Sequence, residues 1–496
     1  MSYVISIDQG TTGSTAVLLD ADSLKFIDKE NLEYRQIYPR PGWVEHDLNE
    51  IWKTVEETIK TILGRHKIQV SEIASIGITN QRETICAFRR DGSPLANAIV
   101  WQDRRTQDRC REIRDLKDDQ WIQKLTGLPV DPYFSATKIE WLLKNNESVK
   151  LAASHDDLLL GTIDTFLLYR LTKAQSFRTE ASNASRTLLM DINDGQWSSK
   201  LCDYFGISKK SLPEICPSFY QFGKTSGLSF LPDGIPITGI LGDQQAALFG
   251  QAGHSKGSMK CTYGTGAFML LNTGEAPVTS QNGLLTTVAF RHQDKLTYAL
   301  EGSCYIAGAA VQWLRDNLNF IQKSPDVEEL ARRADRLDEM ENILFLPFFT
   351  GIGSPYWVSE ARGALIGLTR DTGRHHVARA CLEGMALSIN DLIVAMASDT
   401  LLPIKALNVD GGAVANDFLM EIQATISAIE IVRPKIIETT AYGAGLASLL
   451  GSGSITLSDI DQLWQQDRVF YPNKNASDYY GKKKSQWTHA IKRLYL

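Results

Sequence analysis

Patterns typical of metal, redox and secreted proteins are absent from this chain of 496 residues. Its seven cysteines are scattered without a C-x-x-C pair, and its eight histidines show no H-E-x-x-H or similar ligand spacing. An odd number of scattered cysteines is typical of reduced thiols in a cytosol, and not of a disulfide framework or a zinc site. We therefore predict a cytoplasmic protein, and metal hydrolases and redox enzymes are disfavoured.

Long apolar runs and concentrated positive charge are also missing. No apolar run is long enough to span a bilayer, and the first residues carry Asp8 in place of the basic segment of a signal peptide. The formal net charge is −6, without a basic block. The sequence thus predicts no membrane insertion, no signal peptide and no nucleic-acid partner.

The common nucleotide-binding motifs are incomplete. Gly223–Thr225 resembles the end of a P-loop, but Ser218 occupies the place of the first glycine. The G-x-G patterns that begin at Gly264, Gly351 and Gly443 lack the third glycine of a dinucleotide-binding motif. The H-R-D and D-F-G signatures of protein kinases are missing as well. These absences exclude a P-loop, a Rossmann site and a protein-kinase domain.

A glycine- and threonine-rich turn follows the first predicted strand. The β-prone segment Tyr3–Ile7 leads to Asp8 and the turn Gly10–Gly13, and an apolar return strand follows at Ala16–Leu19. Glycines let backbone N–H groups approach a phosphate, threonines add hydroxyl donors, and an aspartate can hold Mg²⁺ directly or through water. The turn predicts a phosphate site with its metal; an ordinary β-hairpin turn is the alternative at this point.

The following segments predict a β-β-β-α-β order in the first half. Lys25–Tyr34 is a third β-prone stretch, Asp47 begins a helix with an apolar stripe, and Ile73–Thr79 is the next strand. This order is a meander followed by a crossover into the same sheet. We expect functional side chains where these strands end.

Polar and aromatic residues follow the strand Ile73–Thr79. Arg82 and Glu83 come just after it and can donate to and accept from hydroxyl groups; an exposed Arg/Glu pair is the alternative. Trp101 ends a later apolar run, and Tyr133 lies in a loop bracketed by prolines. Trp101 could wall a small pocket, although a buried Trp is more often simply part of the core.

The second half restarts the pattern of the first half. A composition shift at residues 250–257 predicts a boundary, with domains at residues 1–252 and 253–496. Met259–Tyr263 is then a strand, Gly264–Gly266 is a second Gly-Thr turn, and further strands and a helix follow. Two such turns, each followed by the same order of elements, indicate a weak internal repeat of architecture.

Two more strand ends carry candidate site residues. The strand Ile235–Leu241 ends at Gly242 and Asp243, before a helix of small residues; a helix N-cap role for Asp243 is the alternative. The strand Leu407–Asp410 reaches Gly411–Gly412. These glycines could receive the flat face and ribose of a nucleotide because they leave no Cβ in the way; a tight strand-to-helix turn is the alternative.

The C-terminal segments predict two helices and carry no candidate site residues. Ala441–Leu450 is a helix with Gly443 and Gly445 on a tightly packed face. The tail from Tyr471, which contains Lys482–Lys484, predicts a solvated surface helix. No regulatory ligand can be read from the tail.

These features together resemble the architecture of actin, the sugar kinases and the heat-shock ATPases, and within it the FGGY family of carbohydrate kinases. The resemblance extends from Ile5 to about Gly451, and several blocks in the right order are more specific than any one. Its most specific stretches are Asp8–Thr12, Pro39–Asp47, Gly77–Thr84, Ala98–Gln102, Asp131–Ser135, Gly242–Gly250, Tyr263–Gly266 and Asp410–Asn416. It implies an α/β protein of two actin-like (ribonuclease H-like) ATPase domains with a central catalytic cleft.

The resemblance further implies ATP-dependent transfer of a phosphoryl group to a terminal hydroxyl of glycerol. It implies polyol contacts by Arg82, Glu83, Trp101, Tyr133, Asp243, Gln244 and Phe268. It implies ATP contacts by Thr11, Thr12, Gly13, Thr265, Gly308, Gln312, Gly412 and Asn416. Asp8 and Asp243 would lie near Mg²⁺, and Asp243 would be the general base. Because relatives form dimers and tetramers, a homodimer or homotetramer is expected.

One position departs from the family pattern. Thr15 stands where relatives usually carry a basic residue that reaches the nucleotide phosphates. The absence of this basic residue is expected to weaken ATP binding or transition-state stabilisation unless another group replaces it. A kinase for another polyol or sugar, and a nucleotide-binding regulator or chaperone-like ATPase without kinase activity, are the alternatives. Arg82 and Glu83, with Trp101 and Tyr133, favour a small triol.

Overall fold

The computed structural model describes residues 2–496. The strands of the N-terminal half are β1 (Tyr3–Gln9), β2 (Gly13–Asp20), β3 (Phe26–Glu33), β4 (Glu45–His46), β5 (Ile73–Asn80), β6 (Ile85–Arg89), β7 (Ala98–Ile99), β8 (Leu158–Thr162), β9 (Arg178–Glu180), β10 (Met190–Asp191), β11 (Gln196–Trp197), β12 (Glu214–Cys216), β13 (Phe219–Lys224) and β14 (Pro236–Gly242). Its helices are α1 (Leu48–His66), α2 (Gln107–Asp115), α3 (Asp119–Thr126), α4 (Ser135–Asn145), α5 (Glu147–Ser154), α6 (Ile163–Leu171), α7 (Ala181–Ala184), α8 (Ser199–Phe205) and α9 (Asp243–Gly250).

The C-terminal half is built in the same way. Its strands are β15 (Met259–Tyr263), β16 (Ala267–Gly274), β17 (Leu285–His292), β18 (Lys295–Cys304), β19 (Leu344–Leu346), β20 (Ala364–Ile366), β21 (Ala406–Asp410), β22 (Glu430–Pro434) and β23 (Gln466–Phe470). Its helices are α10 (Gly308–Asp316), α11 (Asp326–Arg332), α12 (Leu337–Met340), α13 (Arg374–Thr400), α14 (Asp417–Ser427), α15 (Thr439–Gly451), α16 (Leu457–Leu463) and α17 (Ser477–Leu494).

The two main sheets share one topology. The first has the strand order β13-β14-β5-β1-β2-β3, and the second has the order β17-β18-β16-β15-β21-β22-β23. In each sheet the first strand pairs antiparallel with the return strand and parallel with the strand that follows the crossover. The predicted β-β-β-α-β order is confirmed for the first half, and the second half repeats it with a fourth strand before the helix. The second sheet has one strand more, because β17 extends its edge beyond β18.

Both faces of the first sheet are buried, which explains its nearly continuous apolar strands. Ile5 and Ile7 pack with α1 and α6, whereas Val4, which directly precedes Ile5 in β1, packs on the opposite face with residues of α9 and α15. Side chains alternate between the two faces of a strand. The sheet is thus a central layer, and the ends of its strands are left to present polar groups.

Helix α15 belongs to the C-terminal half in sequence but packs against the first sheet. A Cβ atom at Gly443 would lie 1.9 Å from the carbonyl oxygen of Ala246 in α9, and one at Gly77 in β5 would lie 2.1 Å from Ala444 O. Ser6 Oγ donates to Ala441 O at 2.5 Å. The predicted tightly packed glycine face is confirmed, and it joins the two halves at backbone-to-backbone distance.

The longest helix, α13, is the centre of the C-terminal core. By length and composition it could cross a membrane, with 27 residues and a mean hydropathy of 1.5 in its most apolar window. The helix is nevertheless not an uninterrupted apolar run, because Arg379, Glu383 and Asp391 lie within it. Of that window, 83% is buried inside the protein, because α11, α14 and the second sheet pack around it. Burial in a core explains the composition without a bilayer.

The C-terminal tail is a surface helix with one exposed face and one buried face. In α17, Trp487 and Lys483 are each 1% exposed. The ammonium of Lys483 donates to Met340 O at 2.6 Å and to Ile343 O at 2.5 Å. The predicted helix is present, but the prediction that it is solvated is wrong for its buried face, where Lys483 of the lysine run pairs with carbonyl groups beneath the helix.

Candidate active site

The first Gly-Thr turn is a tight connection between β1 and β2. The Gly10 N–H donates to Gly13 O at 2.9 Å, which closes the turn. A Cβ atom at Gly13 would lie 2.7 Å from Leu32 O of β3, so no other residue fits there without movement. Thr12 at the tip is exposed and Thr11 beside it is partly exposed. The turn therefore presents backbone and hydroxyl donors to solvent, as a phosphate site requires.

A buried polar network holds this turn from behind. Tyr34 Oη lies 2.5 Å from Gly10 O and 2.8 Å from Thr11 O. Gln81 Nε2 donates to Tyr34 Oη at 3.1 Å and approaches His46 Nδ1 at 3.4 Å. Gln81 directly precedes Arg82 and Glu83, so the network fixes the phosphate turn and the predicted polyol segment to each other.

His46 gives this network a defined pH dependence. Burial lowers the pKa of His46 from 6.5 to about 4, so the folded protein keeps a neutral imidazole that the unfolded chain protonates below pH 6.5. Folding stability is therefore lost as the pH falls from 6.5 towards 4, by up to about 3 kcal/mol for this group. We expect His46→Gln to reduce the fall in the free energy of unfolding between pH 7.5 and 5, measured by urea denaturation.

The matched control for this experiment is His489→Gln, because His489 is exposed on α17. This variant is expected to keep the wild-type pH dependence. Equal pH dependence in all three proteins would contradict a buried neutral His46.

Arg82 and Glu83 are buried and do not form the exposed pair considered as an alternative. They are 3% and 1% exposed, respectively. Arg82 donates to Glu301 through Nη1 at 2.5 Å and Nη2 at 3.0 Å, and its Nε lies 3.0 Å from Asp243 Oδ1. Glu83 Oε1 accepts instead from Arg186 Nε at 2.5 Å. Burial raises the pKa of Glu83, although Arg186 and Arg82 oppose this effect.

The backbone at Glu83 is strained. Its φ is +62°, a left-handed conformation that costs of order 1–3 kcal/mol for a residue with a side chain. Ser135 Oγ donates to Glu83 O at 2.9 Å and holds the peptide in this conformation. Such strain concentrates at functional sites, where the surrounding structure fixes it.

Three aromatic side chains meet beside this polar cluster. The ring centroid of Trp101 lies 5.6 Å from that of Tyr133 and 6.4 Å from that of Phe268, with interplanar angles of 81° and 84°. Trp101 Nε1 also donates to Thr11 Oγ1 at 2.9 Å. Trp101 thus contacts the first turn and, through Phe268, the strand that follows the second turn. The edge-to-face rings form apolar walls suited to a short carbon chain.

Asp243 follows β14 and Asp8 lies near the end of β1, and these two strands flank β5 in the first sheet. Asp243 is the first residue of α9, and Gly242 occupies the N-cap position, so the alternative of an N-cap aspartate is wrong. Asp243 Oδ1 accepts from the Gln244 N–H at 2.7 Å. Burial, followed by the charges of Asp243 and Glu438, raises the pKa of Asp8 to about 7. The negative charge of Asp243 therefore acts on Asp8.

These carboxylates fit a magnesium ion that arrives with a nucleotide. Within residues 2–496, no group of three or more His, Cys, Asp or Glu side chains could hold a metal by itself. Mg²⁺ commonly binds through one or two carboxylates, with phosphate oxygens and water completing its shell. Asp8 and Asp243 supply that number, and a cation would favour the charged form of Asp8, whose pKa is raised by burial and, to a lesser degree, by the charge of Asp243.

The second Gly-Thr turn is joined to the start of α10. The Ala307 N–H donates to Thr265 O at 2.8 Å, and the Gly308 N–H donates to Gly264 O at 2.9 Å. A Cβ atom at Gly308 would lie 2.6 Å from Gly264 O, so glycine is needed for this contact. Thr265 is exposed at the tip, as Thr12 is in the first turn.

The Gly-Gly turn lies next to the second turn. Gly411 has φ +89°, and a Cβ atom there would lie 2.6 Å from Tyr263 O. A Cβ atom built at Gly412 would have no other atom within 4 Å, so there is open space of the kind that a nucleotide site needs. Asn416 is partly exposed and caps α14, whereas Gln312 is exposed on α10. No contact directly joins Gln312 or Asn416 to the polyol cluster among the hydrogen bonds of residues 2–496.

Sequence reasoning missed three buried charged residues of the site. Arg186 and Glu301 are each fully buried, and they pair with Glu83 and Arg82, two of the residues predicted to contact the polyol. Lys260, also 0% exposed, donates to Gln244 Oε1 at 2.5 Å. Glu301 and Lys260 each stand in an apolar strand, and a charge in such a strand must find a buried partner. That signal could have identified both, but it could not identify their partners.

Two sheets of one design, each with a phosphate-type turn after its first strand, define the two-domain actin-like ATPase fold. The model of the FGGY family of carbohydrate kinases, N-terminal domain, matches residues 3–250, and that of the C-terminal domain matches residues 259–450. The chain belongs to the FGGY family of carbohydrate kinases.

Individual relatives agree over the full length. A glycerol kinase of Bdellovibrio bacteriovorus is 48% identical over 99% of both chains. The crystal structure of Plasmodium falciparum glycerol kinase with ADP superposes with a TM-score of 0.91 at 36% identity, covering 100% of this chain and 99% of that one. A gluconate kinase from Lactobacillus acidophilus has a TM-score of 0.89 at 24% identity, covering 99% and 98%; this likeness shows the fold alone.

Proposed function

We propose that this protein phosphorylates glycerol to sn-glycerol 3-phosphate with Mg·ATP as the donor. The observation that carries the proposal is the cluster of Arg82, Glu83 and Asp243 beside the rings of Trp101 and Tyr133. Charged groups bind the hydroxyls, and the rings contact the carbon chain. The cluster is small and buried, which favours a short polyol. The glycerol kinases of similar sequence support the same substrate.

Asp243 is the proposed general base. Its carboxylate is about one-third exposed, at 31%, and lies 3.0 Å from Arg82 Nε. Arg82 therefore pairs by charge with the carboxylate at the place where a hydroxyl bound to Arg82 and Glu83 would also lie. The carboxylate accepts the hydroxyl proton as the new O–P bond forms, and the bond from phosphorus to ADP breaks. Positioning and charge stabilisation supply most of the catalysis in such a transfer.

Nucleotide binding is assigned to both turns and the Gly-Gly segment. Thr11, Thr12 and Gly13 would bind phosphates from one side, and Thr265 and Gly308 from the other. Gly412, Asn416 and Gln312 would contact the rest of the nucleotide. Mg²⁺, held near Asp8 and Asp243, would neutralise phosphate charge. Polyol binding thus falls mainly in residues 1–252 and nucleotide binding in residues 253–496, with Phe268 contributed to the polyol side by the second half.

The test is ADP production with Mg·ATP and a panel of glycerol, xylulose, ribulose, erythritol or no acceptor. Turnover that depends on glycerol is the expected result. Turnover on another acceptor would keep the reaction class and overturn the substrate. ADP release that is independent of any acceptor would favour an ATPase without kinase activity.

Thr15→Arg is expected to lower the KM for ATP or to raise turnover. Thr15 is directly opposite Asp8 in the antiparallel pair of β1 and β2, so both side chains project from the same face. An arginine there would place a cation beside the proposed phosphate and metal site. In the present sequence, Thr15 Oγ1 donates to Asn31 Oδ1 at 2.9 Å.

Thr15→Met is the matched control, because it adds length without charge. Steady-state kinetics of both variants at saturating glycerol distinguish charge from bulk. If the arginine and methionine variants behave alike, another group already supplies the cation or none is needed.

A further inference from the structure

A buried carboxylate from the C-terminal half pairs with a residue of the N-terminal half that is proposed to bind the polyol. Glu301 lies on β18 and is 0% exposed. It accepts from both terminal nitrogens of Arg82, at 2.5 and 3.0 Å, and from Arg186 Nη2 at 3.0 Å. A bidentate pair fixes the plane of a guanidinium as well as its position. The direction in which Arg82 presents Nε to Asp243 is therefore set by Glu301.

Arg186 completes the arrangement on the other side. Its Nε donates to Glu83 Oε1 at 2.5 Å, and its guanidinium carbon lies 5.6 Å from the ring centroid of Tyr133. Glu83, Arg82, Glu301 and Arg186 carry two negative and two positive charges, so the cluster is neutral as a whole. Removing Glu301 or Arg186 would leave a buried charge without its partner next to the proposed polyol site.

We propose that Glu301 and Arg186 are positioning residues for the polyol site: they orient Arg82 and Glu83 and thereby set glycerol affinity. This inference rests on the proposed function. Neither residue needs to contact the substrate, since each acts through a group that does. Because Glu301 comes from the second sheet, the residues proposed to bind the polyol are aligned only when both halves of the chain are folded against each other.

Glu301→Gln tests the proposal. This substitution keeps the size of the side chain but replaces one accepting oxygen by a donor that faces two arginines. The KM for glycerol is expected to rise about 10- to 100-fold, by analogy with the loss seen when a residue that orients a metal ligand is replaced, while the KM for ATP changes less than about threefold. Arg186→Lys keeps the charge but loses the planar fork, and the same pattern is expected. Glu301→Asp keeps the carboxylate and is expected to restore part of the affinity.

The control is Glu383→Gln. Glu383 pairs with Arg379 at 3.0 Å in the C-terminal core, and both side chains are buried. This variant loses a comparable buried ion pair away from the site. Its melting temperature is expected to fall while its KM for glycerol stays at the wild-type value. KM does not depend on how much of a preparation is active, so partial unfolding alone cannot produce the expected shift.

The outcomes separate the two proposals. Wild-type protein without glycerol-dependent turnover overturns the proposed function, whatever the variants do. Wild-type turnover on glycerol, with an unchanged glycerol KM in Glu301→Gln and Arg186→Lys, overturns the positioning role alone. If both of those variants fail to fold while Glu383→Gln folds, the pair is structural and the positioning role is also overturned.

Discussion

Replacing Asp243 by asparagine is expected to lower kcat by about 10²- to 10⁴-fold, the usual contribution of a positioned general base. An amide of the same shape cannot take the proton of the attacking hydroxyl. The glycerol KM should change far less, because Arg82 keeps both of its bonds to Glu301 when the contact with Asp243 is altered. Steady-state kinetics with saturating ATP would measure both quantities.

Asp326→Asn provides a matched control for this variant. Asp326 is also the first residue of a helix, α11, and its carboxylate accepts a backbone N–H, that of Lys323 at 2.8 Å. Any effect of removing a negative charge at a helix start is therefore present in both variants. Unchanged kcat in Asp243→Asn, with a normal control, would show that Asp243 is not the base.

The second large effect is expected from Gly443→Ala in α15. The added Cβ would lie 1.9 Å from Ala246 O and 2.9 Å from the Gly250 N, and backbone atoms cannot rotate away as a flexible side chain can. Overpacking commonly costs about 1–3 kcal/mol and occasionally more, and a contact this short belongs at or above the upper end. Thermal unfolding should show a markedly lower Tm, or no folded protein.

Gly481→Ala is the control for the Gly443 variant. Gly481 lies inside α17 with nothing within 4 Å of its Cβ direction. Alanine is favoured over glycine in a helix by about 1 kcal/mol, so this substitution should leave Tm unchanged or raise it. Equal Tm values for wild type and Gly443→Ala would contradict the packing of α15 on α9.

Local signals predicted most of the framework. Asp47 caps α1 as its sequence suggests, accepting the Asn49 N–H at 2.8 Å, and the third strand runs over Phe26–Glu33 within the predicted stretch. The second Gly-Thr turn reproduces the first because the same pattern of strand, turn and strand is written twice. These features depend on residues a few positions apart, which a single sequence records.

The pairing inside the site could not be predicted in this way. Arg82 and Glu83 are neighbours in sequence, which suggested that they might pair with each other. In the structure Arg82 binds Glu301, 219 residues away, and Glu83 binds Arg186, 103 residues away. Only the register of two sheets and the crossing of the chain between its halves bring these partners together.

The error at the C-terminal tail has a similar cause. A run of lysines predicts solvent exposure because an ammonium group is costly to bury alone. At Lys483 the cost is offset by the carbonyl groups of Met340 and Ile343. Those acceptors lie about 140 residues earlier in the chain, and the sequence around Lys483 contains no signal that predicts them.

The route of α15 has a consequence for recombining this protein with its relatives. The helix lies against α9 and the strands β1, β5 and β14, although it is encoded nearly 190 residues after α9. A chimera that joins the first 250 residues of one kinase to the remainder of another would pack the first sheet and α9 of one protein against the α15 of the other. The unit that can be exchanged is therefore discontinuous: the first sheet with its helices, together with α15.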